Sequence, residues 1–249
     1  MEQDWIELSG GHMGEVLRRG DRVRRPAGFW TPAVHRLLRH LADAGMTGVP
    51  RVLESPDDQH ESLSFVPGEV PDYPMPAWVW DEPALVSSAT VLSRLHALTR
   101  DADRTGPWRS PTHEPVEVIC HNDVAPYNLV FTEGRAIGLI DFDFASPGPR
   151  LWDFAYLAYR IVPLTAVDVG DGFDPSHRRA RLQRLQLAYG RCFPQQQLFD
   201  MVIARLLDLA DFSDRMAGEL GKPELHQHAA AYRSDAEQLA HPDAAGDLS

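Results

Sequence analysis

The sequence predicts an α+β fold with two lobes, a small lobe of short strands plus one helix followed by a larger, mostly helical lobe. Three observations support this. Short alternating segments separated by turn residues fill residues 1–66. Helical periodicity dominates residues 84–241. Residues 67–83 hold five prolines, which disfavours a helix or a central strand and predicts a linker.

The N-terminal lobe is predicted to begin with three strands, DWIEL, EVLRR and RVRR, with the glycine-rich SGGHMG after the first. Gly20-Asp21 is typical of a two-residue hairpin turn. Thr31 is a good helix N-cap with Pro32 at the first helical position, and apolar residues at helical spacing continue to a stop at Gly45. Two further strands, VPRVLE and ESLSFVPGE, complete this lobe.

Five helices are predicted in the C-terminal lobe: ALVSSATVLSRLHALT, LWDFAYLAYRIV, SHRRARLQRLQLAYGR, QQQLFDMVIARLLDLADFSDRMAGEL and ELHQHAAAYRSDAEQLA. Between the first two, the segments VEVICHND, NLVF and RAIGLIDFD are typical of short strands that bracket loops. Residues 242–249 are expected to be a frayed tail.

Charge and cysteine content narrow the function classes. The 24 basic and 36 acidic residues give a net charge of −12, which argues against nucleic acid as a partner. Two scattered cysteines, Cys120 and Cys192, indicate neither a disulfide framework nor a zinc site and favour the cytoplasm. The acidic N-terminus is unlike a signal peptide, and no apolar run approaches the roughly 20 residues that span a bilayer, so no membrane partner is expected.

Polar side chains that suit phosphoryl transfer cluster in CHNDVAPYNLVF and GLIDFDFASPGP. Asp123 is followed by Asn128 five residues later, Asp141 follows thirteen residues after that, and Asp143 two further on. In phosphoryl transfer one carboxylate accepts the hydroxyl proton, while an Asn oxygen and a second carboxylate hold Mg²⁺. His121 is expected to brace the loop through a bond to backbone. The alternative is a loop whose polar side chains satisfy their own backbone.

Together with LSFVPGE and LSRLHALT, these motifs resemble the aminoglycoside phosphotransferase family, the small-molecule relatives of protein kinases. The resemblance extends to about residue 163. It implies a two-lobed kinase-like fold with ATP or GTP as phosphate donor and Mg²⁺ as cofactor. It also implies that Asp123 is the catalytic base and that Asn128 and Asp141 hold Mg²⁺, with Asp143 as a further candidate ligand.

The same resemblance implies a nucleotide site in the N-terminal lobe. Its candidate residues are Gly10, Gly11, Gly14, Ser64 and Val66. Successive glycine amides can cradle an anion, although a plain tight turn is the alternative for this loop.

The third strand departs from the kinase pattern, because RVRRP has no lysine to contact the phosphates. Strand alternation places Arg22 and Arg24 on one face and Val23 and Arg25 on the other. Arg24 is the candidate for the lysine's role, since arginine binds phosphate through two parallel bonds. A solvated edge is the alternative. The following helix also lacks the glutamate that usually pairs with the lysine.

Two hypotheses about function follow. The first is a Mg²⁺-dependent phosphotransferase that moves the γ-phosphoryl group of ATP or GTP to a hydroxyl of a small molecule such as an aminoglycoside. The second, motivated by the missing lysine and glutamate, is a kinase-like binding or self-immunity protein. A metal-dependent hydrolase is disfavoured because Asp and Asn ligands suit Mg²⁺ better than zinc.

Two groups of residues are candidates for the substrate pocket. An acidic cleft would attract a cationic substrate, although a solvated acidic face is the alternative; its residues are Asp168, Asp171, Asp174, Asp208, Asp211 and Asp214. Aromatic side chains that could stack a sugar or base are Tyr73, Trp78, Trp80 and Trp108.

Overall fold

The computed structural model describes residues 4–8, 15–55, 57–165 and 175–241. The chain divides into two compact units, Met1–Arg150 and Leu151–Ser249. The predicted lobe boundary at residues 67–83 falls inside the first unit and stays a prediction. Six residues of the predicted glycine loop and acidic cleft lie outside the described residues: Gly10, Gly11, Gly14, Asp168, Asp171 and Asp174.

A five-stranded antiparallel sheet forms the N-terminal part of the first unit, in the order β1-β2-β3-β5-β4. Its strands are β1 (Ile6–Glu7), β2 (Leu17–Arg19), β3 (Arg22–Pro26), β4 (Val52–Leu53) and β5 (His60–Ser64). The predicted strands and hairpin turn are confirmed. In the β3–β5 register, Arg24 lies opposite Ser62 and Arg25 opposite Glu61. Because side chains alternate across a strand, the two arginines point to opposite faces of the sheet.

Helix α1 (Thr31–Asp43) packs an apolar stripe that includes Leu37, Leu38 and Leu41 into the core. The predicted N-cap is wrong by one residue, since Trp30 is the cap and Thr31 is already helical. The reason is that the Thr31 hydroxyl accepts a hydrogen bond from the N–H of Gly28, at 2.9 Å, and so closes the preceding turn.

The rest of the first unit contains helix α2 (Glu82–Leu98) and two two-stranded antiparallel sheets. Strand β6 (Val118–Cys120) pairs with β9 (Ser146–Gly148), and β7 (Leu129–Thr132) pairs with β8 (Arg135–Leu139). The proline-rich residues 67–83 contain a 3₁₀ turn, Ala77–Trp80, and a single bridge from Glu69 to Phe131. The structure therefore holds the loops after β6 and β8 on short strands.

Two glycines allow the segment before β4 to approach β8 closely. The carbonyl oxygen of Gly48 accepts a hydrogen bond from the N–H of Leu139 at 2.8 Å. A Cβ atom on Gly48 would collide with the carbonyl oxygen of Ile137, and one on Gly138 would collide with that of Gly48. This contact ties the sheet to the hairpin that leads to Asp141.

Replacing Gly48 by Ala is therefore expected to destabilise the protein more than replacing Gly45 by Ala. Both glycines have a positive φ, 75° and 76°, so each alanine carries a similar backbone cost of about 1–2 kcal/mol. Only Gly48 adds a collision with backbone, since a Cβ on Gly45 meets nothing within 4 Å. Urea denaturation should show an extra loss of about 1–3 kcal/mol for Gly48→Ala; equal losses would contradict this account.

The second unit is helical. Its elements are α3 (Arg150–Ile161), α4 (Pro175–Tyr189), α5 (Gln195–Leu220) and α6 (Leu225–Ala240), so the predicted helices are confirmed. Tyr159 donates a 2.5 Å hydrogen bond to Asp235, which joins α3 to α6. Among the described helices, none combines the length and apolar character that crossing a membrane requires.

Candidate active site

The loop between β6 and β7 fixes the carboxylate of Asp123 from two sides. Oδ1 of Asp123 accepts a hydrogen bond from the Tyr127 hydroxyl at 3.0 Å, and Oδ2 accepts one from Nδ2 of Asn128 at 2.8 Å. Nδ2 of Asn128 also donates to the backbone carbonyl of Asp123 at 2.9 Å. Because the amide nitrogen is spent on Asp123, the carbonyl oxygen Oδ1 is the atom that Asn128 can offer to a cation.

The backbone of Ile140 joins this loop to the one that carries Asp141. The backbone N–H of Ile140 donates to the backbone carbonyl of Asn128. The backbone carbonyl of Ile140 lies 2.9 Å from Nε2 of His121. The His121 ring also packs edge-on against Phe142, with centroids 4.7 Å apart. The prediction that His121 braces the loop through backbone is confirmed. Asp141 follows Ile140 directly, so the structure brings Asp123, Asn128 and Asp141 into one neighbourhood.

Asp141 is held in an unusual backbone conformation. Its φ of 61° and ψ of 69° lie in the left-handed region, at the start of a 3₁₀ turn, Phe142–Phe144. A non-glycine residue pays about 1–2 kcal/mol for this conformation, which persists only where the surroundings impose it. The bonds to Ile140 and the contacts of the Asp141 side chain supply that constraint.

Arg25 of β3 bridges three carboxylates. Nε donates to Glu61 at 2.6 Å, one terminal nitrogen donates to Asp141 at 3.0 Å, and the other donates to Asp143 at 2.5 Å. Burial alone would lower the pKa of the Arg25 guanidinium, but Asp143, Asp141 and Glu61 outweigh it and raise that pKa. Arg25 thus stays charged and links the sheet to the Asp141 loop.

Glu61 completes this network from β5. The Glu61 side chain is 2% exposed, and its second oxygen lies 2.7 Å from Nε2 of His35 on α1. Burial by itself raises the pKa of Glu61, but the hydrogen bond from His35 and the charge of Arg25 outweigh burial and hold that pKa below its usual range. A glutamate on a strand therefore pairs with the arginine of β3, with the helix contributing a histidine.

A second arginine and a tryptophan cover Asp143. Arg109 lies 3.8 Å from Asp143, and its guanidinium stacks over the rings of Trp30 and Phe144 at 4.3 and 4.5 Å. Burial raises the pKa of Asp143; the charge of Arg25 opposes that shift, whereas Asp141 acts in the same direction. Sequence reasoning missed Arg109 and Glu61 because their partners, Asp143 and Arg25, are distant in the chain. It also missed Tyr127, although that residue follows its partner Asp123 by four positions in the same motif.

The register of the sheet places Arg24, the candidate for the lysine's role, away from the Asp141 loop, and that role stays a prediction. Arg24 lies on the face opposite Arg25, with its terminal nitrogen 3.2 Å from Asp57 and 3.0 Å from His60. Ser64 shares the Arg24 face, and its hydroxyl accepts the N–H of Arg51. The arginine beside the Asp141 loop is Arg25. Val66 is half-buried just beyond β5, and its role stays a prediction.

The side chains present suit a hard divalent cation. Mg²⁺ takes oxygen ligands from one or two carboxylates and an amide, and completes its shell with water and phosphate. Asn128 offers an amide oxygen, and Asp141, whose side chain is 43% exposed, offers carboxylate oxygens. Asp143 is 16% exposed and engaged by Arg25, so it is the less accessible of the two acids.

The acidic candidates for the substrate pocket on α5 already have basic partners. On α5, Asp208 pairs with Arg205, while Asp211 and Asp214 pair with Arg233, so these carboxylates are partly neutralised.

The aromatic candidates for the substrate pocket differ in their contacts and exposure. Trp78 packs against Phe131, and the Trp108 indole donates to a backbone carbonyl. Tyr73, which is 56% exposed, lies beside Tyr127 with ring centroids 6.4 Å apart, next to the Asp123 loop.

The low pKa of Glu61 gives a pH-dependent contribution to stability. Replacing Glu61 by Gln is expected to lower the free energy of unfolding near pH 7 by about 2 kcal/mol, through the loss of charged hydrogen bonds. Because the folded pKa lies below the ordinary 4.5, this difference is complete above pH 4.5 and shrinks as the pH falls through the folded value.

Urea denaturation of both proteins across this pH range checks the prediction. Glu69→Gln, at an exposed side chain, is the matched control and should differ little from the native protein at any pH. A native-to-Glu61→Gln difference that stays constant or grows towards low pH would contradict it.

Comparison with known proteins shows similarity to a phosphotransferase family over part of the chain. Residues 78–195 match the model of the phosphotransferase enzyme family, APH. The trifolitoxin immunity protein of Rhizobium leguminosarum bv. trifolii is 37% identical over 152 residues. That match covers 58% of this chain and 57% of the relative, so it spans little more than half of the relative's length.

Solved structures share the fold along nearly the whole chain. A choline/ethanolamine kinase family protein from Mesorhizobium loti has a TM-score of 0.68 at 17% identity, covering 98% of this chain and 91% of its own. Amicoumacin kinase hAmiN, solved with AMP-PNP, Ca²⁺ and Ami, has a TM-score of 0.70 at 12% identity, covering 95% and 88%. The predicted kinase-like fold and the resemblance to the aminoglycoside phosphotransferase family are thereby confirmed.

Proposed function

We propose that this protein is a Mg²⁺-dependent phosphotransferase that moves the γ-phosphoryl group of ATP or GTP to a hydroxyl of a small molecule. The observation that carries the proposal is the joining of Asp123, Asn128 and Asp141 through the backbone of Ile140. The match of residues 78–195 to the model of a phosphotransferase family supports the reaction class. The acceptor is a hydroxylated compound, with aminoglycosides as the first class to test.

In the proposed reaction, Asp123 accepts the proton of the acceptor hydroxyl. The hydroxyl oxygen forms a bond to the γ-phosphorus while the bond from phosphorus to the bridging oxygen breaks, and the nucleoside diphosphate leaves. Tyr127 and Asn128 hold the Asp123 carboxylate in orientation. Asn128 and Asp141 would hold Mg²⁺, which offsets negative charge on the phosphates when bound.

Arg25 takes the place of the strand lysine in this proposal. Its guanidinium is anchored through Nε by Glu61, and Glu61 is in turn bonded to His35 of α1. The two terminal nitrogens of Arg25, which contact Asp141 and Asp143, are the donors that would reach a phosphate. Phosphate binding therefore requires Arg25 to exchange at least one of these carboxylates for the nucleotide.

Calorimetric titration with ATP and with GTP, each with and without Mg²⁺, tests the proposal. Mg²⁺-dependent binding of either nucleotide is expected, and it should weaken in Asp141→Asn. Transfer to an acceptor is then sought with a γ-labelled nucleotide and a panel of hydroxylated antibiotics and metabolites. Failure of both nucleotides to bind would overturn the phosphotransferase assignment.

A second candidate function is self-immunity by binding, favoured by the similarity to the trifolitoxin immunity protein. In that function a toxin is held without phosphate transfer, and Arg25 keeps its bonds to Asp141 and Asp143. The two functions separate in a protection assay with trifolitoxin-sensitive cells that express the native chain or Asp123→Asn. Protection that survives Asp123→Asn supports binding, whereas protection lost with a folded variant supports catalysis.

A further inference from the structure

One face of the N-terminal sheet carries a group of three arginines, Arg19, Arg22 and Arg24, called here the arginine face. Arg19 of β2 lies directly opposite Arg22 of β3, and Arg24 follows two residues along the same strand. Side-chain alternation therefore places all three on one side of the sheet. Arg25 points to the other side, towards Asp141. The arginine face is thus separate from the candidate active site.

This arrangement has an electrostatic cost within the sheet. Like charges directly opposite each other on neighbouring strands destabilise the pair, and Arg19 and Arg22 stand in that relation. Arg24 has a carboxylate partner in Asp57, at 3.2 Å. Arg22 donates to the backbone carbonyl of Glu54 at 2.7 Å, a neutral acceptor.

A cavity of about 420 Å³ opens on the arginine face. Its walls include the three arginines, Trp5, Glu54 and Ser62. The Arg19 guanidinium lies 4.7 Å from the centre of the Trp5 ring, which gives the cavity one aromatic wall. This volume falls within the range of small-molecule sites. The single acidic side chain among these six residues, Glu54, leaves the lining with a positive balance.

Two polar atoms beside the cavity are buried without a hydrogen-bond partner, Nε of Arg24 and Oγ of Ser62. The two residues are direct cross-strand partners, and Ser62 is 1% exposed. Buried polar groups in native proteins nearly always have a partner, because an unpaired one costs free energy. Nε of Arg24 can only donate, whereas the Ser62 hydroxyl can donate or accept, and an anion in the cavity would give both an acceptor.

We propose that the arginine face is a binding site for a compact anion with two or more phosphate groups. Three guanidinium groups around one small cavity suit such a ligand, since each can give two parallel hydrogen bonds to phosphate oxygens. Ser62 adds a neutral donor on the floor of the site. The ligand competes with Asp57 for Arg24. The site lies on the side of the sheet opposite Arg25 and is independent of the proposed phosphotransfer.

The test is calorimetric titration of the full chain with inorganic pyrophosphate, without nucleotide or divalent metal. The native protein is expected to bind. Arg22→Ala and Arg24→Ala should each weaken binding by about tenfold or more, as expected for lost charge-assisted hydrogen bonds. Ser62→Ala, which removes only a hydroxyl group, should weaken it by about threefold. Arg39→Ala is the matched control, since it removes an exposed positive charge on α1 of the same unit.

Thermal melts without pyrophosphate establish that each variant is folded, and Ser62→Ala keeps the test decisive if an arginine variant is not. Weakening confined to the arginine-face variants supports the site. The proposal is overturned if the native protein does not bind pyrophosphate at millimolar concentration. It is also overturned if the folded arginine-face variants bind as tightly as the native protein and Arg39→Ala.

Discussion

Asp123→Asn is expected to lower kcat for phosphoryl transfer by about 10²- to 10⁴-fold, the usual contribution of a general base. The amide has the shape of the carboxylate but cannot accept the hydroxyl proton at neutral pH. Nucleotide affinity should change little, because Asp123 contacts Tyr127 and Asn128 rather than Arg25. Single-turnover transfer and calorimetric nucleotide binding measure the two quantities separately.

Tyr127→Phe provides the control for this prediction. It removes the hydroxyl that donates to Oδ1 of Asp123 and leaves the carboxylate itself in place. We therefore expect a smaller loss of kcat, roughly tenfold, from a less firmly oriented base. Turnover of Asp123→Asn equal to that of the native protein would remove Asp123 from the role of base.

Arg25→Met is expected to lower the free energy of unfolding by about 3–5 kcal/mol, the cost of removing one partner from a buried ion pair. The loss leaves Glu61, 2% exposed, and Asp143, 16% exposed, without their shared cation. The contact with the more exposed Asp141 contributes less, because solvent screens it. Urea denaturation measures the change, and the same variant should lose Mg²⁺-nucleotide binding if Arg25 anchors phosphate.

Arg24→Met is the matched control on the same strand. Arg24 pairs with the half-exposed Asp57, so its loss should cost about 0–1 kcal/mol. An equal loss of unfolding free energy in Arg24→Met and Arg25→Met would mean that the side of the sheet on which each arginine lies does not affect its contribution to stability. Nucleotide binding lost in Arg24→Met but kept in Arg25→Met would assign the lysine's role to Arg24 and not to Arg25.

The choice between these two arginines shows where sequence reasoning reached its limit. Alternation along RVRRP separates Arg24 from Arg25 but does not say which face meets the acidic loop. That answer depends on pairing with β5, 36 residues away, where Glu61 stands opposite Arg25. The sequence pointed to a missing glutamate on the helix, whereas the structure supplies the carboxylate from a strand.

Local sequence patterns were sufficient to predict the helices and the pairing of Asp123 with Asn128. The helices follow from apolar spacing, which is a property of each segment alone, and the predicted positions of α2 to α6 are confirmed. The pairing of Asp123 with Asn128 is also local, since five residues separate them. The one-residue error at Thr31 arose because a hydroxyl can serve either the helix or the turn before it, and propensity does not rank the two.

The link at Ile140 has a consequence for how this protein can diversify. Both bonds use main-chain atoms, so exchanging the side chain at this position leaves the donor and acceptor in place. The spacing between Asp123, Asn128 and Asp141 is therefore shielded from most single-codon changes at residue 140. In the proposed phosphotransferase, new acceptor preferences can arise from substitutions in the walls of the acceptor site without changing this spacing. A comparison of amino-acid identities at residue 140 would not reveal the constraint.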